Sequence, residues 1–186
     1  MPLTRRIGSF LADSLQTIVT AAAIFALIYW LFAQPHQVVG DSMFPNFHNK
    51  EYILTDKISY RLRSPQAGEV IVFKAPNNLE RDYIKRIIAK SADQVKIEKG
   101  RVFINGQLLI EQYLPADIKT YSGSTIKEGV EYTVPAGSYF VLGDNRTNSS
   151  DSREWGFVKR EQIIGRSFIV YWPLSSFKIV GAEKTF

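Results

Sequence analysis

The chain has 186 residues, a formal net charge of +5 and no cysteine. The lack of cysteine excludes disulfides, thiolate metal sites and a cysteine nucleophile. Hydrophobic residues make up 45% and aromatic residues 13% of the chain, so it can bury a core and does not have the composition of a disordered protein. Lysine and arginine are scattered among acidic residues, without a basic strip that could follow phosphates, and no nucleic-acid partner is expected.

An apolar run without a formal charge extends from Leu15 to Ala33. As a helix that rises ~1.5 Å per residue, this run spans roughly 28 Å and is long enough for one membrane crossing. Arg5 and Arg6 precede the run, and Tyr29 and Trp30 lie near its far end. By the positive-inside rule, the N-terminus is predicted to be cytoplasmic and the rest of the chain to lie on the trans side of a plasma membrane or thylakoid-type inner membrane.

Two alternatives to a retained anchor agree less well with the sequence of this run. A cleaved secretory signal usually has a shorter apolar stretch of about 7 to 15 residues and a small residue where Leu31 stands here. A helix buried in a soluble core would show a polar face, which this run lacks. We therefore expect residues 1–33 to form a cytoplasmic tip and a single transmembrane helix in contact with the lipid bilayer.

Beyond the anchor, short runs rich in β-branched and aromatic residues alternate with turn sequences, which predicts a mainly β, antiparallel fold for residues 34–186. Asn105-Gly106, between Val102–Ile104 and Leu108–Ile110, predicts a tight hairpin. One or two helical turns are expected at Ser59–Arg63 or Lys159–Ile163. The predicted strands are Gln37–Val39, Glu51–Thr55, Val70–Phe73, Tyr83–Ile88, Val95–Ile97, Val102–Ile104, Ser138–Leu142 and Ser167–Trp172.

Ser42 is a candidate nucleophile in the segment Gly40–Pro45 (GDSMFP), nine residues after the apolar run. A serine hydroxyl attacks an amide only when a neighbouring base accepts its proton, and that base is commonly histidine. The chain has two histidines, His36 and His48, and the sequence places no aspartate to orient either. We interpret both as surface or structural residues, and two histidines alone do not make a zinc site.

Lys85 is the alternative base, in the segment Asp82–Arg86 (DYIKR) of a predicted strand. Strand alternation sends one set of side chains from this segment into the core. To act as a base the amine must be neutral, and lowering its pKa from about 10.4 to about 8 requires burial that destabilises the ammonium by roughly 3 kcal/mol. On composition alone, a lysine at a strand edge or in an ion pair is the commoner interpretation.

A third segment, Gly143–Gly156 (GDNRTNSSDSREWG), is a dense run of hydrogen-bonding groups directly after the predicted strand that ends at Leu142. Such a concentration of Asp, Asn, Arg and Ser is typical of a solvated turn with Asx-type hydrogen bonds. By itself the segment does not distinguish that turn from a functional loop.

Taken together and in this order, the three segments resemble the type I signal peptidases of the S26 family, which are membrane-bound Ser/Lys endopeptidases that remove signal peptides from exported proteins. The resemblance extends from about Gln34 to Trp172. It implies an antiparallel-sheet catalytic domain over residues 34–186 with a smaller β insertion at about 91–135. It also implies signal-peptide-bearing preproteins as substrates, proximity to a protein-export channel, and neither metal nor cofactor.

The resemblance assigns roles to ten residues. It implies Ser42 as the nucleophile, Lys85 as the general base and Ser149 as the hydroxyl that orients the lysine amine. The residues implied to line the substrate pocket are Val38, Ile84 and Met43. The residues implied to form supporting ion pairs are Asp144, Arg86, Asp151 and Arg153.

The sequence departs from the family pattern at two places. Gly40 stands two residues before the nucleophile, where some members carry a hydroxyl that helps to hold the oxyanion. The backbone N–H of Ser42 would therefore have to supply more of the hydrogen bonding that stabilises the oxyanion. Ala89-Lys90-Ser91-Ala92 replaces the Gly-Leu-Pro-Gly of many members, so the resemblance does not predict the conformation of the turn after the Lys85 strand.

The non-enzymatic alternative is a membrane-tethered β-domain that binds secretion or envelope proteins without catalysis. It predicts that Ser42→Ala and Lys85→Ala have no phenotype, whereas the peptidase hypothesis predicts that unprocessed precursors accumulate in both. The peptidase hypothesis also predicts an alkaline activity optimum, because the base must be neutral. Self-cleaving repressors share the Ser/Lys chemistry, but this chain has a membrane segment in place of their helix-turn-helix region.

Overall fold

The computed structural model describes the backbone of residues 3–182 and the side chains of residues 10–27 and 32–182. Helix α1 (Leu3–Phe32) contains most of the predicted anchor and begins before the apolar run. Its segment Phe10–Leu27 has the length and composition of a membrane span, and none of that segment is buried against the rest of the described chain. The flanking side chains of Arg5, Arg6, Tyr29 and Trp30 lie outside the described residues.

The prediction of a mainly antiparallel β fold is confirmed. The main sheet has the order β1-β2-β11-β3-β4-β9-β10, and β12 pairs with β11. Every pairing in it is antiparallel. Its strands are β1 (Ala33–Gln37), β2 (Tyr52–Asp56), β3 (Val70–Ala75), β4 (Asn78–Lys90), β9 (Ser138–Leu142), β10 (Val158–Lys159), β11 (Ile163–Trp172) and β12 (Lys178–Ile179).

A second, four-stranded sheet has the order β7-β6-β5-β8 and lies within residues 91–135. The hairpin predicted at Asn105-Gly106 is present, because these residues have φ angles of 52° and 78° and join β6 to β7. Positive φ at both central positions gives the turn type whose twist matches the flanking strands. The strands are β5 (Gln94–Glu98), β6 (Arg101–Ile104), β7 (Gln107–Leu108) and β8 (Glu131–Thr133).

Short helical segments connect the strands. Helix α2 (Ser59–Leu62) lies where a turn was predicted, and a 3₁₀ turn (Arg160–Gln162) occupies the second predicted place. Helix α3 (Ser152–Trp155) falls within the polar segment, and Asp151 caps its N-terminus by accepting a hydrogen bond from the Arg153 N–H. A further 3₁₀ turn covers Leu174–Ser176.

The first strand lies earlier than predicted. We expected Gln37–Val39, but β1 ends at Gln37, and the two following valines belong to the connection that leads to Ser42. Pro35 lies inside β1, which is an edge strand and therefore tolerates a residue without an N–H. The predicted hairpin arm Leu108–Ile110 is also shorter, since β7 ends at Leu108.

Strand β3 is buried on both faces, which suits its position inside the main sheet. Its residues Ile71 and Phe73 pack in one apolar cluster, and Val70 and Val72 pack in another. The second cluster also contains Met43 and Val38, together with the partly buried Ile84. This cluster supports the candidate site, because it joins the Ser42 segment to the strand that carries Lys85.

Candidate active site

Ser42 lies in the turn-rich connection between β1 and β2. Met43 and Phe47 are fully buried and anchor this connection, and the Phe47 N–H donates to the Met43 carbonyl at 2.9 Å. From a distant part of the chain, the Asn145 N–H donates to the Ser42 carbonyl at 3.0 Å. The backbone of Ser42 is thus held from two sides, while its side chain remains partly exposed.

Lys85 lies in the second half of β4 with its amine directed at Ser42. The distance from Lys85 Nζ to Ser42 Oγ is 2.8 Å, and Nζ also lies 2.9 Å from the carbonyl oxygen of Ile84. Only 4% of Lys85 is exposed. An amine at this distance can accept the serine proton when the amine is neutral.

Burial lowers the pKa of Lys85 from 10.5 to about 8, while the negative charges of Asp151 and Asp144 oppose this change. Desolvation prevails because the amine has lost nearly all contact with water, and no carboxylate forms a direct ion pair with it among the described residues. With a pKa of about 8, roughly a tenth of the amines are neutral at pH 7 and about half at pH 8. A neutral amine that can accept a proton is therefore available in mildly alkaline solution.

Ser149 lies beside Ser42 but does not contact the lysine amine through a hydrogen bond. Its Oγ atom is buried and has no hydrogen-bond partner among the described residues. It packs against Gly143, where a Cβ atom would overlap both Ser149 Oγ and the Ser42 carbonyl oxygen. The amine of Lys85 is instead fixed by Ser42 and by the carbonyl of Ile84.

Two buried ion pairs hold the polar segment 143–156: one ties it to strand β4, and the other lies within the segment. Arg86 donates to Asp144 through Nε at 2.9 Å and Nη2 at 2.7 Å. Arg153 donates to Asp151 through Nε at 2.7 Å and Nη2 at 2.8 Å. Asp151 also accepts from the Gly143 N–H at 3.0 Å. Bidentate pairs of this kind have strict geometry. The Arg86–Asp144 pair therefore defines where the segment after β9 lies relative to Lys85.

A cavity of about 260 Å³ opens beside the Ser42 and Lys85 side chains. Val38 and Ile84 line it, as the resemblance implied. Met43 does not: its side chain is completely buried in the apolar cluster and is absent from the lining. The reason is its place next to Ser42 in a turn, which directs its side chain into the core when the serine faces the cavity.

The two histidines differ in their surroundings. No aspartate is placed in the sequence to orient either histidine, and in the structure Asp82 Oδ2 lies 3.5 Å from His36 Nε2 at the cavity. Their 46-residue separation in sequence concealed the contact, which the fold creates by bringing β1 and β4 together. His48 has a 56% exposed side chain and contacts Glu51, in agreement with the surface interpretation. It is Lys85, and not His36, that contacts the Ser42 hydroxyl.

Arg146, which was not predicted as a site residue, is the largest fully buried side chain among the described residues. Its Nη1 donates to Glu111 at 2.6 Å and to Thr120 at 2.7 Å, and its Nε donates to the Gly143 carbonyl at 3.1 Å. These contacts link the segment after β9 to the long connection between β7 and β8. The only local signal of its burial was the density of polar residues around it, because the partners of Arg146 are distant in sequence.

The chain is similar in sequence to known proteins. The family model described as "Signal peptidase, peptidase S26" matches residues 11–172. The probable signal peptidase I-2 of Synechocystis sp. is 38% identical over 164 residues, which cover 86% of this chain and 72% of that protein. Signal peptidase IB of Staphylococcus aureus is 31% identical over 180 residues, which cover 89% and 93%.

Among solved structures, a signal peptidase I from Enterococcus faecalis V583 is 32% identical and aligns with a TM-score of 0.47, covering 56% of this chain and 97% of that chain. The family match includes the anchor segment, all three polar or catalytic segments and the strands between them. It confirms the resemblance inferred from the sequence. This chain therefore belongs to the signal peptidases of the peptidase S26 family.

Proposed function

We propose that this chain is a membrane-anchored serine endopeptidase that removes N-terminal signal peptides from exported preproteins, with Ser42 as nucleophile and Lys85 as general base. One observation carries the proposal: the buried Lys85 amine lies 2.8 Å from the Ser42 hydroxyl. Membership of the signal peptidase family supports preproteins with a signal peptide as the substrate class. The burial that lowers the pKa of Lys85 to about 8 supports its role as the base.

In the first half of the reaction, the neutral Lys85 amine accepts the Ser42 proton while Oγ attacks the carbonyl carbon of the scissile amide. The tetrahedral intermediate collapses when the C–N bond breaks, and the Lys85 ammonium gives its proton to the leaving nitrogen. The mature protein departs with a free α-amine, and the signal peptide remains as an ester on Ser42.

In the second half, a water molecule gives a proton to the neutral Lys85 amine and its oxygen attacks the ester carbonyl. When this intermediate collapses, the bond to Ser42 Oγ breaks and the Lys85 ammonium returns a proton to Oγ. The signal peptide leaves with a new carboxylate, and the dyad is restored. The same amine acts as base and then as acid in each half, as expected when its pKa lies near the working pH.

The Ser42 N–H is the proposed donor to the oxyanion of both intermediates. It donates no hydrogen bond within the described residues and is therefore free for this role. Gly40 has a φ of 84°, and a Cβ placed there would meet nothing within 4 Å, so no side chain fills the space two residues before the nucleophile. A backbone donor fixed by its neighbours needs no rearrangement during the reaction.

The substrate is proposed to lie extended in the cavity between the β1 connection and β4. Val38, Ile84, Ile53 and Val72 contribute to its wall. The four aliphatic side chains give this part of the cavity an apolar wall, which suits small apolar side chains beside the dyad. This supports cleavage after a small residue, as in the Ala-x-Ala type of cleavage site.

In this proposal, helix α1 is the membrane anchor and holds the dyad close to the bilayer surface. Ser42 lies ten residues beyond the end of α1, and ten extended residues reach at most about 36 Å. A signal peptide holds its own apolar segment in the bilayer with the cleavage site a few residues beyond, so enzyme and substrate meet in the same layer. We place the N-terminus in the cytoplasm and the catalytic domain on the trans side of the plasma or thylakoid-type inner membrane, near a protein-export channel.

Cleavage of a purified preprotein tests the dyad. The full chain in detergent is incubated with a preprotein, and the products are identified by mass spectrometry of their new termini. Ser42→Ala and Lys85→Met should each reduce kcat/KM by about a thousandfold or more. Ser64→Ala and Lys90→Met are matched controls, because both residues are exposed and neither lines the cavity. Activity in Lys85→Met equal to that of the wild type would contradict the proposal.

The proposed orientation is tested separately by labelling, since the natural chain has no cysteine. In intact cells, a membrane-impermeant maleimide should label Ser64→Cys but not Pro2→Cys. Both should be labelled after the membrane is opened. Labelling of Pro2→Cys alone in intact cells would contradict the orientation without affecting the dyad.

A further inference from the structure

We propose that Asn145 is a positioning residue for the reaction: its side chain holds the peptide group that carries the Ser42 N–H, the proposed donor to the oxyanion. The inference rests on the proposed peptidase function and adds one residue to it. It concerns a hydrogen bond from the polar segment 143–156 to the carbonyl group directly before the nucleophile.

Asn145 binds two successive carbonyl groups of the turn that contains Ser42. Its Nδ2 donates to the Asp41 carbonyl at 3.0 Å, although the two residues are 104 positions apart in the sequence. Its backbone N–H donates to the Ser42 carbonyl at 3.0 Å. One residue therefore holds the peptide groups on both sides of the Ser42 Cα atom, and neither group can rotate without losing a hydrogen bond.

The bond to the Asp41 carbonyl acts on the Ser42 N–H through the peptide group that the two share. In a planar trans peptide group, the carbonyl oxygen and the N–H point in opposite directions. A donor that fixes the Asp41 oxygen therefore also fixes the direction of the Ser42 N–H. Hydrogen bonds that follow one another through a peptide group polarise each other, so the same contact makes the N–H a stronger donor.

The Asp41 carbonyl has a second donor, which limits the expected effect. The Phe44 N–H donates to it at 3.1 Å and closes the local turn. Because a carbonyl oxygen has two lone pairs, the two donors together use its full capacity. The Asn145 bond is the one that ties this turn to a distant part of the fold. Loss of the Asn145 side chain should therefore loosen the Ser42 N–H without releasing it completely.

Asn145 is itself held firmly in place. Its neighbours Asp144 and Arg146 are buried, with exposed fractions of 0% and 2%, and both form ion pairs. The Thr147 hydroxyl lies 3.2 Å from Asn145 Oδ1 and donates to it. Since the Asp41 carbonyl can only accept, the amide nitrogen must be the atom that faces it. The amide thus has one defined orientation on a rigid support.

Gly40 explains why such support matters in this chain. A glycine offers no side-chain donor to the oxyanion and leaves the backbone before Ser42 conformationally free. On its N-terminal side, the Gly40 N–H donates to Asn49 Oδ1 at 3.1 Å. On its C-terminal side, Asn145 holds the next carbonyl but one before the Ser42 side chain, that of Asp41. The two asparagines fix from outside a segment that glycine alone would leave mobile.

The first measurement is steady-state cleavage of one preprotein by the full chain in detergent. Asn145→Ala should lower kcat about tenfold and change KM less than about twofold, because the oxyanion forms only after the substrate has bound. Asn145→Leu, which has a similar size and no donor, should show the same loss. Asn145→Gln retains the amide and should recover part of it. Asn77→Ala is the matched control, because this asparagine is exposed and does not line the cavity.

The second measurement separates positioning of the donor from a general structural role. The probe is a peptide aldehyde: Ser42 Oγ bonds to its carbonyl carbon, the Ser42 proton passes to Lys85, and the carbonyl oxygen becomes an oxyanion. Its Ki should rise about tenfold in Asn145→Leu, in parallel with the loss in kcat. The corresponding peptide alcohol, which forms no oxyanion, should bind as tightly as it binds the wild type. The pH profile should keep its midpoint near pH 8, since Lys85 is untouched.

Wild-type kcat in Asn145→Ala and Asn145→Leu would overturn the inference. So would an equal loss of alcohol binding, or a shifted pH profile, because either would mean that the substitution disturbs the whole site. If neither variant folds, Thr147→Val at an exposed position decides: it should lower kcat and aldehyde affinity together by about twofold, and no change in either overturns the inference. Failure of the wild type to cleave the preprotein would instead overturn the proposed function.

Discussion

Gly143 and Ser149 are in such close contact that a Cβ atom at residue 143 would overlap the Ser149 hydroxyl oxygen. The same atom would also overlap the Ser42 carbonyl oxygen, so this glycine sets the position of both serines. We expect Gly143→Ala to displace Ser42 from Lys85 and to reduce kcat/KM by about a hundredfold, because small misplacements of reacting groups have effects of this size. Steady-state cleavage of a preprotein measures the loss.

Gly181→Ala is the control for this substitution. Gly181 lacks a positive φ, and a Cβ placed there would meet nothing within 4 Å, so this variant should keep the wild-type rate. If Gly143→Ala retained more than half of the wild-type activity, the contact between residue 143 and the two serines would not be important for catalysis.

The pH dependence of cleavage follows from the pKa of Lys85, which burial lowers to about 8. Because only the neutral amine accepts the Ser42 proton, kcat/KM should rise with pH and level off above about pH 9. The neutral fraction increases about tenfold from pH 7 to pH 9, and the rate should increase by a similar factor. A profile measured from pH 5 to pH 10 on one preprotein checks this, and a maximum below neutrality would exclude a neutral lysine as base.

The main strands were predictable because the local pattern of apolar residues indicates their burial. Val70–Ala75 is a run of β-branched and aromatic residues, and in the structure it is buried on both faces. Strands β10 and β12 have two residues each, too few to show any alternation. They form only because a longer neighbour provides the hydrogen bonds. The start of β1 was missed for a related reason, since Pro35 disfavours a strand except at an edge.

The dyad was predictable because three local motifs carry it, whereas the cavity depends on contacts between distant residues. The apposition of His36 and Asp82 requires β1 and β4 to face each other across the cleft, and no local pattern encodes that. Met43 shows that a local motif can also mislead. Its position next to the nucleophile suggested a pocket residue, but the turn directs its side chain into the core.

Lys85 should destabilise the folded chain in a pH-dependent way. Its pKa is about 8 in the folded protein and 10.5 without burial. Below pH 8 both states bind the proton, so the full cost of burying the ammonium is present. Between pH 8 and 10.5 the unfolded state binds more protons, so the free energy of unfolding rises with pH, and above 10.5 the cost has disappeared.

Lys85→Met removes the titrating group and reveals this effect. The variant should gain stability relative to the wild type at pH 7, and the difference should decline by about 3 kcal/mol as the pH rises from 8 to 10.5. Urea unfolding of the full chain in detergent at several pH values measures it. Lys90→Met, at an exposed position of the same strand, should show no such trend. A pH-independent difference for Lys85→Met would mean that the amine is not desolvated.

The Arg86–Asp144 pair should be essential for stability, because both side chains are almost completely buried, with exposed fractions of 3% and 0%. Asp144→Asn removes the carboxylate that pairs with the buried guanidinium, and we expect it to reduce the free energy of unfolding by about 3–5 kcal/mol. Arg86→Met combined with Asp144→Leu should cost less than the sum of the single changes, since no charged group is then left buried at this place.

Lys96→Met is the control: it breaks a partly exposed pair with Glu98 and should cost less than about 1 kcal/mol. Urea unfolding compares these variants with the wild type, and equal costs for Asp144→Asn and Lys96→Met would show that water reaches the Arg86 guanidinium.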